Sequence, residues 1–233
     1  MNLSEYFNID GSTLSFEPAL ASEFAKQVAG DFNPLHNPDN KRFCVPGDLL
    51  FSVLLNRYGV YENVSVEFLG MLDGKSTVTL PAKMNDAQRF SDSRDREVLV
   101  ATCSGNKTDD AAFISELTEQ YVRFSGKTFP DVLEPLMREH NVMIHPTRPL
   151  VIYQSMRLSM NALSGTQLSV EMESANLSFE CKKGTLELAF TLKAGSESIG
   201  TGAKAMVLGG LRAYDAQAMQ GVVDDYNALK TAS

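Results

Sequence analysis

The sequence predicts an α+β protein made of two similar units. Three observations support this prediction: an apolar helix that follows Pro46, several segments in which apolar and polar residues alternate, and a return of this pattern about 104 residues later. One buried helix beside several half-buried strands is typical of an α+β layer. The chain has 233 residues, of which 43% are hydrophobic and 21% charged, so it is long enough for two modest domains.

Two helices are predicted in the first unit. Pro18 suits the first position of a helix, which we expect to continue to Gly30. The second helix is predicted to begin after Gly47, with Asp48 as its N-cap, and to stop at Gly59. Its apolar residues fall on nearly every face, which is typical of a helix buried on all sides.

Alternating apolar residues predict strands in both units. In the first unit these strands cover 64–68, 76–80, 97–103 and 113–121. In the second unit, Pro149 is predicted to open an amphipathic helix that runs through Leu163 and ends at Gly165. Strands are then predicted at 177–181, 185–192 and 198–207, with a short acidic helix or tail from 214 to 233.

Two landmarks suggest an internal repeat. Residues 168–172 resemble residues 64–68 at an offset of 104, and Pro149 follows Pro46 by 103 positions. Because both spacings agree, we interpret the chain as two units in tandem. The predicted division is a first unit at 1–130, a second at 131–212 and a C-terminal helix or tail at 213–233.

Composition excludes several classes of function. A net charge of −8 and a pI near 4.9 oppose nucleic acid or an anionic membrane as a partner. The three cysteines have no CxxC spacing, and His140 and His145 lack carboxylate or cysteine company, so neither a disulfide framework nor a metal site is expected. No basic and apolar leader and no run of about 18 apolar residues is present, so we expect a cytoplasmic protein.

The strongest functional signal is the run Gly-Asp-Phe-Asn-Pro-Leu-His at 30–36. Gly30 can end a helix, and Pro34 disfavours the helical conformation at Asn33, so Asp31 and His36 are predicted to share one irregular loop. A carboxylate and an imidazole that point at one place can hold and activate a water molecule.

Together with Phe24 and Ala29 before it and the block 43–47 after it, this run resembles the signature of the MaoC-like dehydratases, the R-specific enoyl-CoA hydratase (hydratase 2) family. The sequence departs from that signature in having Pro46 in place of a histidine, Asp48 after the glycine, and only ten residues between His36 and Gly47, which indicates a divergent branch. The resemblance implies a tandem (double) hot-dog fold, with a curved antiparallel sheet wrapped around a long central helix in each unit. Only the first unit carries the motif.

The resemblance also implies a function and its residues. It implies a hydratase or dehydratase that acts on 2-enoyl or 3-hydroxyacyl thioesters, with Asp31 and His36 as the catalytic pair. The Gly47 amide would stabilise the oxyanion, while Asn33 and Ser52 would contribute to the substrate-binding site. No metal or organic cofactor enters this chemistry; CoA or an acyl carrier takes part only as a portion of the substrate.

Other functions remain open at this point. An acyl-CoA thioesterase can use the same Asp or His to direct water at the carbonyl, and a non-catalytic acyl-binding or assembly module can keep the fold alone. Asp31 can also serve only as a turn residue. Lys41 and Arg42 can contact CoA phosphates or simply be solvated. Because hot-dog units pair, the chain is expected to be a monomer with an internal pseudo-dimer or a homodimer.

Overall fold

The computed structural model describes residues 1–232 and contains both helices and antiparallel sheets. The α-helices are α1 (Pro18–Glu23), α2 (Gly47–Tyr58), α3 (Ala111–Gly126), α4 (Leu133–Glu139) and α5 (Ala216–Ala232). A π-helical turn over Phe24–Ala29 continues α1, and 3₁₀ turns cover Leu3–Glu5 and Pro34–His36.

The strands form one large sheet and two small ones. They are β1 (Asn8–Asp10), β2 (Thr13–Ser15), β3 (Val60–Phe68), β4 (Val78–Thr79), β5 (Ala87–Ser91), β6 (Glu97–Thr108), β7 (Val142–Met143), β8 (Leu150–Met160), β9 (Leu168–Glu180), β10 (Lys183–Ala194), β11 (Glu197–Gly209) and β12 (Arg212–Ala213). The large sheet has the order β5-β6-β3-β8-β11-β10-β9. The small sheets are β1-β2-β4 and β12-β7.

The seven-stranded sheet joins the two halves of the chain. All its neighbouring strands are antiparallel, and β3 pairs with β8 at the centre, from Asn63 opposite Ser159 to Glu67 opposite Ser155. Helices α2 and α3 pack against each other, with α2 next to β3 and α3 next to β9. One long helix on each half of a continuous curved sheet is the tandem hot-dog arrangement, so the predicted fold class is confirmed.

Helix α2 is buried along most of its length, as its sequence predicts. Nine of its twelve residues are buried, because it lies between the sheet and α3. Gly59, with φ of 82°, ends the helix in a conformation that favours glycine. The predicted capping role of Asp48 is wrong: Pro46 occupies the N-cap position, and the Asp48 side chain makes other contacts within the protein.

The predicted strand at 113–121 is also wrong, because this segment belongs to α3. Phe113, Leu117 and Tyr121 are spaced by four residues, which fits one face of a strand and also one face of a helix. Burial of Ile114 and Val122 beside them selects the helix. Asp110 caps it by accepting bonds from the amides of residues 112 and 113, at 2.9 and 3.2 Å.

The helix predicted to start at Pro149 is instead strand β8. Met156, Leu158 and Met160 are buried, whereas the residues between them are exposed, which is the period of a strand. The two repeat landmarks were therefore misleading: Pro46 precedes a helix but Pro149 precedes a strand, and residues 64–68 lie in central β3 whereas 168–172 lie in edge β9. The division into 1–130 and 131–212 stays a prediction.

The buried residues form two apolar clusters. The larger one surrounds α2 and α3, and the smaller one lies between α4, α5 and the second half of the sheet. The closing segment, predicted as a helix or tail, forms α5, which packs Met219 into the smaller cluster. Over residues 1–232, no helix is both long and apolar enough to cross a membrane.

Candidate active site

The motif loop is fixed by its own backbone and side chains. Gly30, with φ of 71°, ends the π-helical turn, and the Asp31 amide donates to the Ala25 carbonyl at 2.8 Å. Asp31 Oδ1 accepts a bond from the Asn33 amide at 2.9 Å. The Asn33 side chain donates to the Val151 carbonyl of β8 at 3.0 Å, which ties the loop to the second half of the chain. The side-chain carbonyl oxygen of Asn33, Oδ1, accepts a hydrogen bond from the amide of residue 35.

This loop brings Asp31 and His36 together, as the motif predicts. His36 Nε2 lies 3.6 Å from Asp31 Oδ2, and His36 Nδ1 donates to the Cys44 carbonyl at 2.8 Å. The bond to Cys44 fixes the ring and leaves Nε2 facing the carboxylate. A separation of 3.6 Å is long for a direct hydrogen bond, and it suits a water molecule that bonds to both groups.

Each member of this pair favours the charged form of the other. Burial raises the pKa of Asp31, but the hydrogen bond and positive charge of His36 outweigh burial and leave this pKa below its ordinary value. Burial lowers the pKa of His36, but Asp31 outweighs it, so this pKa lies above the ordinary value. Both pKa shifts therefore favour the charged forms, a carboxylate at Asp31 and an imidazolium at His36.

Tyr226 of α5 braces the loop from the far end of the chain. Its hydroxyl donates to the Gly30 carbonyl at 3.1 Å and accepts from the Phe32 amide at 3.2 Å, so it holds the backbone on both sides of Asp31. The Tyr226 ring also makes edge contacts with Phe32 and Phe129, at centroid distances of 5.6 and 5.1 Å. Burial raises the pKa of this phenol, so it stays protonated and can donate.

A cavity of about 300 Å³ opens beside the Asp31–His36 pair. Its walls are mainly apolar and come from both halves of the chain, among them Leu50, Phe68, Leu72, Phe129, Ile144 and Met206. Val222 and Leu229 of α5 form part of one wall. An apolar cavity with a few convergent polar groups is the usual form of a small-molecule site.

Gly47 also lines this cavity, but an aromatic ring packs against it. A Cβ added at Gly47 would lie 2.1 Å from Cδ2 of Tyr153, so only glycine leaves room for this ring. The oxyanion role implied for the Gly47 amide stays a prediction.

The two remaining predicted site residues have structural partners. Asn33 lines the cavity, but its amide group is engaged in shaping the loop, as described above. Ser52 is fully buried and donates to the Asp48 carbonyl of its own helix at 2.6 Å, so the structure does not bring it to the cavity. Among residues 1–232, no three His, Cys, Asp or Glu side chains are grouped as a metal site.

A second polar cluster, which sequence analysis missed, consists of Asp48, Ser125, Tyr153 and Lys204. They come from α2, α3, β8 and β11 respectively. Asp48 Oδ2 accepts bonds from the Ser125 hydroxyl at 2.5 Å and from the Tyr153 hydroxyl, and Lys204 Nζ donates to both hydroxyls. Ser125, Tyr153 and Lys204 line the same cavity as the Asp31–His36 pair.

Burial dominates the electrostatics of this cluster. The pKa of Asp48 is raised by burial despite the nearby ammonium and the two hydroxyls. The pKa of Lys204 is lowered to about 8 by burial, although Asp48 and Asp31 oppose this change. Burial and the Asp48 charge raise the pKa of Tyr153 well above its ordinary value. Lys204 is thus mainly protonated at neutral pH.

The sequence contains one sign of this cluster, a lysine within the alternating pattern of β11. Lys204, Met206 and Leu208 occupy alternate positions of β11, and all three are buried, so a lysine interrupts an inward-facing apolar row. Tyr153 gave no such signal. The pairing of β8 with β11 shifts register between the partners Ser155 and Tyr153, and irregularities of this kind turn side chains in new directions.

The fold and the site define a class: a tandem hot-dog protein with an acid–imidazole pair at an apolar cavity between its halves. The chain belongs to the family described as "Protein of unknown function (DUF3581)", whose family model matches residues 1–217. No curated protein matches the sequence.

Solved structures of similar architecture have low sequence identity to this chain. A TesB protein of Mycobacterium avium subsp. paratuberculosis is 11% identical at a TM-score of 0.48, with 88% of this chain and 96% of that chain covered. A conserved hot-dog protein of unknown function from Alicyclobacillus acidocaldarius is 10% identical at a TM-score of 0.49, with 92% and 99% covered. A Mycobacterium tuberculosis protein with a double hot-dog fold is 12% identical at 0.40, with 87% and 96% covered. These likenesses assign no activity to the chain.

Proposed function

We propose that the protein hydrolyses acyl thioesters, with a water molecule directed by Asp31 and His36. The observation that carries the proposal is the geometry of the Asp31–His36 pair, whose facing atoms are 3.6 Å apart at the wall of an apolar cavity. The apolar walls suit an acyl chain, and the pair supplies both a base and an acid.

The pKa shifts favour a carboxylate at Asp31 and an imidazolium at His36, and these two forms give each residue a role. Asp31 accepts a proton from the water as its oxygen attacks the carbonyl carbon of the thioester. The carbon–sulfur bond then breaks, and the leaving thiolate takes the proton of His36 Nε2. Proton transfer from the Asp31 carboxyl group to the imidazole restores the starting pair, and a carboxylic acid and a thiol leave the site.

The surroundings of Gly47 favour hydrolysis over hydration. In a hydratase of the kind that the motif resembles, the carbonyl would rest at the start of α2, while water attacks a carbon two bonds away. Here the Tyr153 ring packs against Gly47 at that place. Lys204 lines the same cavity as Asp31, so a carbonyl held by a donor at Lys204 would place its own carbon, not a carbon two bonds away, within reach of water directed by Asp31.

Hydration of 2-enoyl thioesters is the second candidate, and the motif loop supports it. The run 30–36 folds as one irregular loop with Asp31 and His36 side by side, which is the arrangement that the hydratase resemblance implies. The same pair can add water to a double bond if the chain binds with its β-carbon beside the loop.

One assay separates the two reactions. Purified protein is incubated with saturated and 2-enoyl CoA thioesters of several chain lengths, and free thiol and enoyl absorbance are followed together. Hydrolysis releases thiol from both kinds of substrate, whereas hydration removes the enoyl absorbance without thiol release. Stabilisation against heat by acyl-CoA without either reaction would indicate a non-catalytic binding module.

Two variants test the roles of the pair. Asp31→Asn and His36→Ala are each expected to abolish thiol release while the protein stays folded. Asp39→Asn and His140→Ala, which change exposed residues of the same types, are the matched controls. Thiol release that survives in Asp31→Asn would contradict the proposal.

A further inference from the structure

The polar cluster of Asp48, Ser125, Tyr153 and Lys204 lowers the stability of the fold relative to an apolar cluster at the same place. Lys204 is only 1% exposed, and a buried ammonium loses hydration that a salt bridge rarely restores in full. Its neighbours along the inward row of β11 are Met206 and Leu208, so an apolar side chain at position 204 would continue that row. The charge therefore points to a ligand.

The hydrogen bonds of the cluster leave one donor free. Both hydroxyl protons, those of Ser125 and Tyr153, go to Asp48, and both hydroxyl oxygens accept from Lys204. A lysine ammonium has three N–H groups. Among the residues that the structure describes, hydroxyl oxygens take two of them, and the ammonium also lies 3.6 Å from the centroid of the Tyr153 ring. One N–H therefore has no oxygen acceptor in the part of the protein that the structure describes, and because Lys204 lines the cavity, an oxygen of a bound molecule can take it.

The position of this donor fits the proposed reaction. Lys204 and Asp31 line the same cavity, so a bound thioester can meet both the Lys204 N–H and a water molecule directed by Asp31. The start of α2, the alternative place for a carbonyl oxygen, has the Tyr153 ring against Gly47. A neutral acyl thioester has one strong acceptor, its carbonyl oxygen, and that oxygen becomes negative during water attack.

We propose that Lys204, supported by Ser125 and Tyr153, binds the carbonyl oxygen of the acyl thioester and stabilises the oxyanion. This inference rests on the proposed function. When water attacks the carbonyl carbon, the π electrons of the C=O bond move onto oxygen, which accepts the free Lys204 N–H. When the electron pair returns, the thiolate leaves and is protonated by His36. Asp48 acts as a positioning residue, because it orients the two hydroxyls toward Lys204.

The test uses a ketone analogue that cannot be hydrolysed, in which a methylene group separates the sulfur of CoA from an octanoyl-type carbonyl. This carbonyl carbon is labelled with ¹³C, and its NMR resonance is recorded free and bound to the wild-type protein. A hydrogen bond from an ammonium polarises the carbonyl and moves its resonance downfield. We expect this displacement in the wild type and its loss in Lys204→Met.

Matched variants separate carbonyl binding from a structural role. Lys193→Met makes the same change on β10 at a residue that pairs with Glu171, and it is expected to keep the displacement. Tyr153→Phe keeps the ring against Gly47 and removes only the hydroxyl, so it gives an answer even if Lys204→Met does not fold; we expect a smaller displacement. In the thiol-release assay, Lys204→Met is expected to lower kcat about 10²- to 10³-fold with little change in KM.

The outcomes distinguish this inference from the proposed function. Thiol release combined with a carbonyl resonance that does not move, or that moves equally in Lys204→Met, overturns the inference and leaves the proposed function intact. A displacement that depends on Lys204, without turnover of any thioester, supports the carbonyl site and contradicts hydrolysis. Absence of both turnover and displacement overturns both.

Discussion

Replacement of Lys204 by methionine should change how the stability of the protein depends on pH. Burial lowers the pKa of Lys204 from 10.5 to about 8. At pH values between about 8 and 10.5, Lys204 holds its proton more often in the unfolded chain than in the folded protein, so the free energy of unfolding rises with pH. The difference is about 2.5 pKa units, and at 1.36 kcal/mol per unit the total rise is about 3 kcal/mol. Lys204→Met lacks this rise.

Urea unfolding of both proteins at a series of pH values, from about 7 to about 10, measures the effect. Other groups also titrate there: burial raises the pKa of Cys44 to about 11 and that of Tyr153 well above its ordinary value, and both changes make stability fall as pH rises. Cys44 is not part of the Lys204 cluster, so its contribution is shared by the two proteins, and the ordinary tyrosine pKa of 10.0 keeps most of the Tyr153 contribution above this pH range. The quantity to plot is therefore the wild-type free energy of unfolding minus that of Lys204→Met.

This difference is expected to increase by more than 1 kcal/mol for each pH unit above about 8 and to be flat below it. Loss of the ammonium leaves Asp48 without its cation, so a second reference protein, Lys204→Met with Asp48→Asn, checks that the result does not come from the carboxylate. Parallel curves for the wild type and both reference proteins would refute the reasoning, because they would mean that Lys204 titrates normally.

Three further predictions concern the motif loop, the cavity wall and two exposed cations. Tyr226→Phe removes two hydrogen bonds to the motif loop and should lower the free energy of unfolding by about 1–2 kcal/mol and slow thiol release; an unchanged denaturation midpoint would contradict this bracing role. Gly47→Ala should cost about 1–3 kcal/mol by overpacking, whereas Gly221→Ala, with nothing near its added Cβ, should not destabilise the protein. Exchange of the exposed Lys41 and Arg42 for glutamate should raise KM for acyl-CoA but not for a thioester without the nucleotide; equal effects on both substrates would exclude phosphate contact.

The motif loop could be predicted because its chemistry is contiguous in sequence. Gly30 and Pro34 favour an irregular turn, and that turn brings Asp31 and His36 together. Helix α2 was equally predictable, because its apolar residues leave it no exposed face.

The errors have one physical origin: short patterns that fit two structures. Phe113, Leu117 and Tyr121 are four residues apart, an even number that satisfies a strand and also about one turn of a helix. In β8, the helix predicted from Pro149 to Gly165 depends on apolar residues at 151, 152, 156, 160 and 163, whose spacing is close to the helical period, although the buried positions 156, 158 and 160 follow the strand period. In both segments, the burial of the residues between these positions distinguishes a helix from a strand.

The polar cluster around Lys204 could not be predicted as a unit. Its four residues lie at positions 48, 125, 153 and 204, so long-range packing of four separate elements brings them together. The inward lysine was visible in the alternation of β11, but its partners were not, because the irregular pairing of β8 and β11 decides the direction of Tyr153. Sequence patterns report on neighbours along the chain and carry little information about such distant contacts.

The junction of β3 with β8 has a consequence for how such a protein can be divided or recombined. The acid–imidazole pair precedes this junction in the chain and the lysine follows it, while the cavity that they share exists only where the two segments meet. We therefore expect neither segment to work when expressed by itself. Exchange of one segment for that of a relative should succeed only when both facing surfaces of the pocket match, so the two segments are expected to be inherited together.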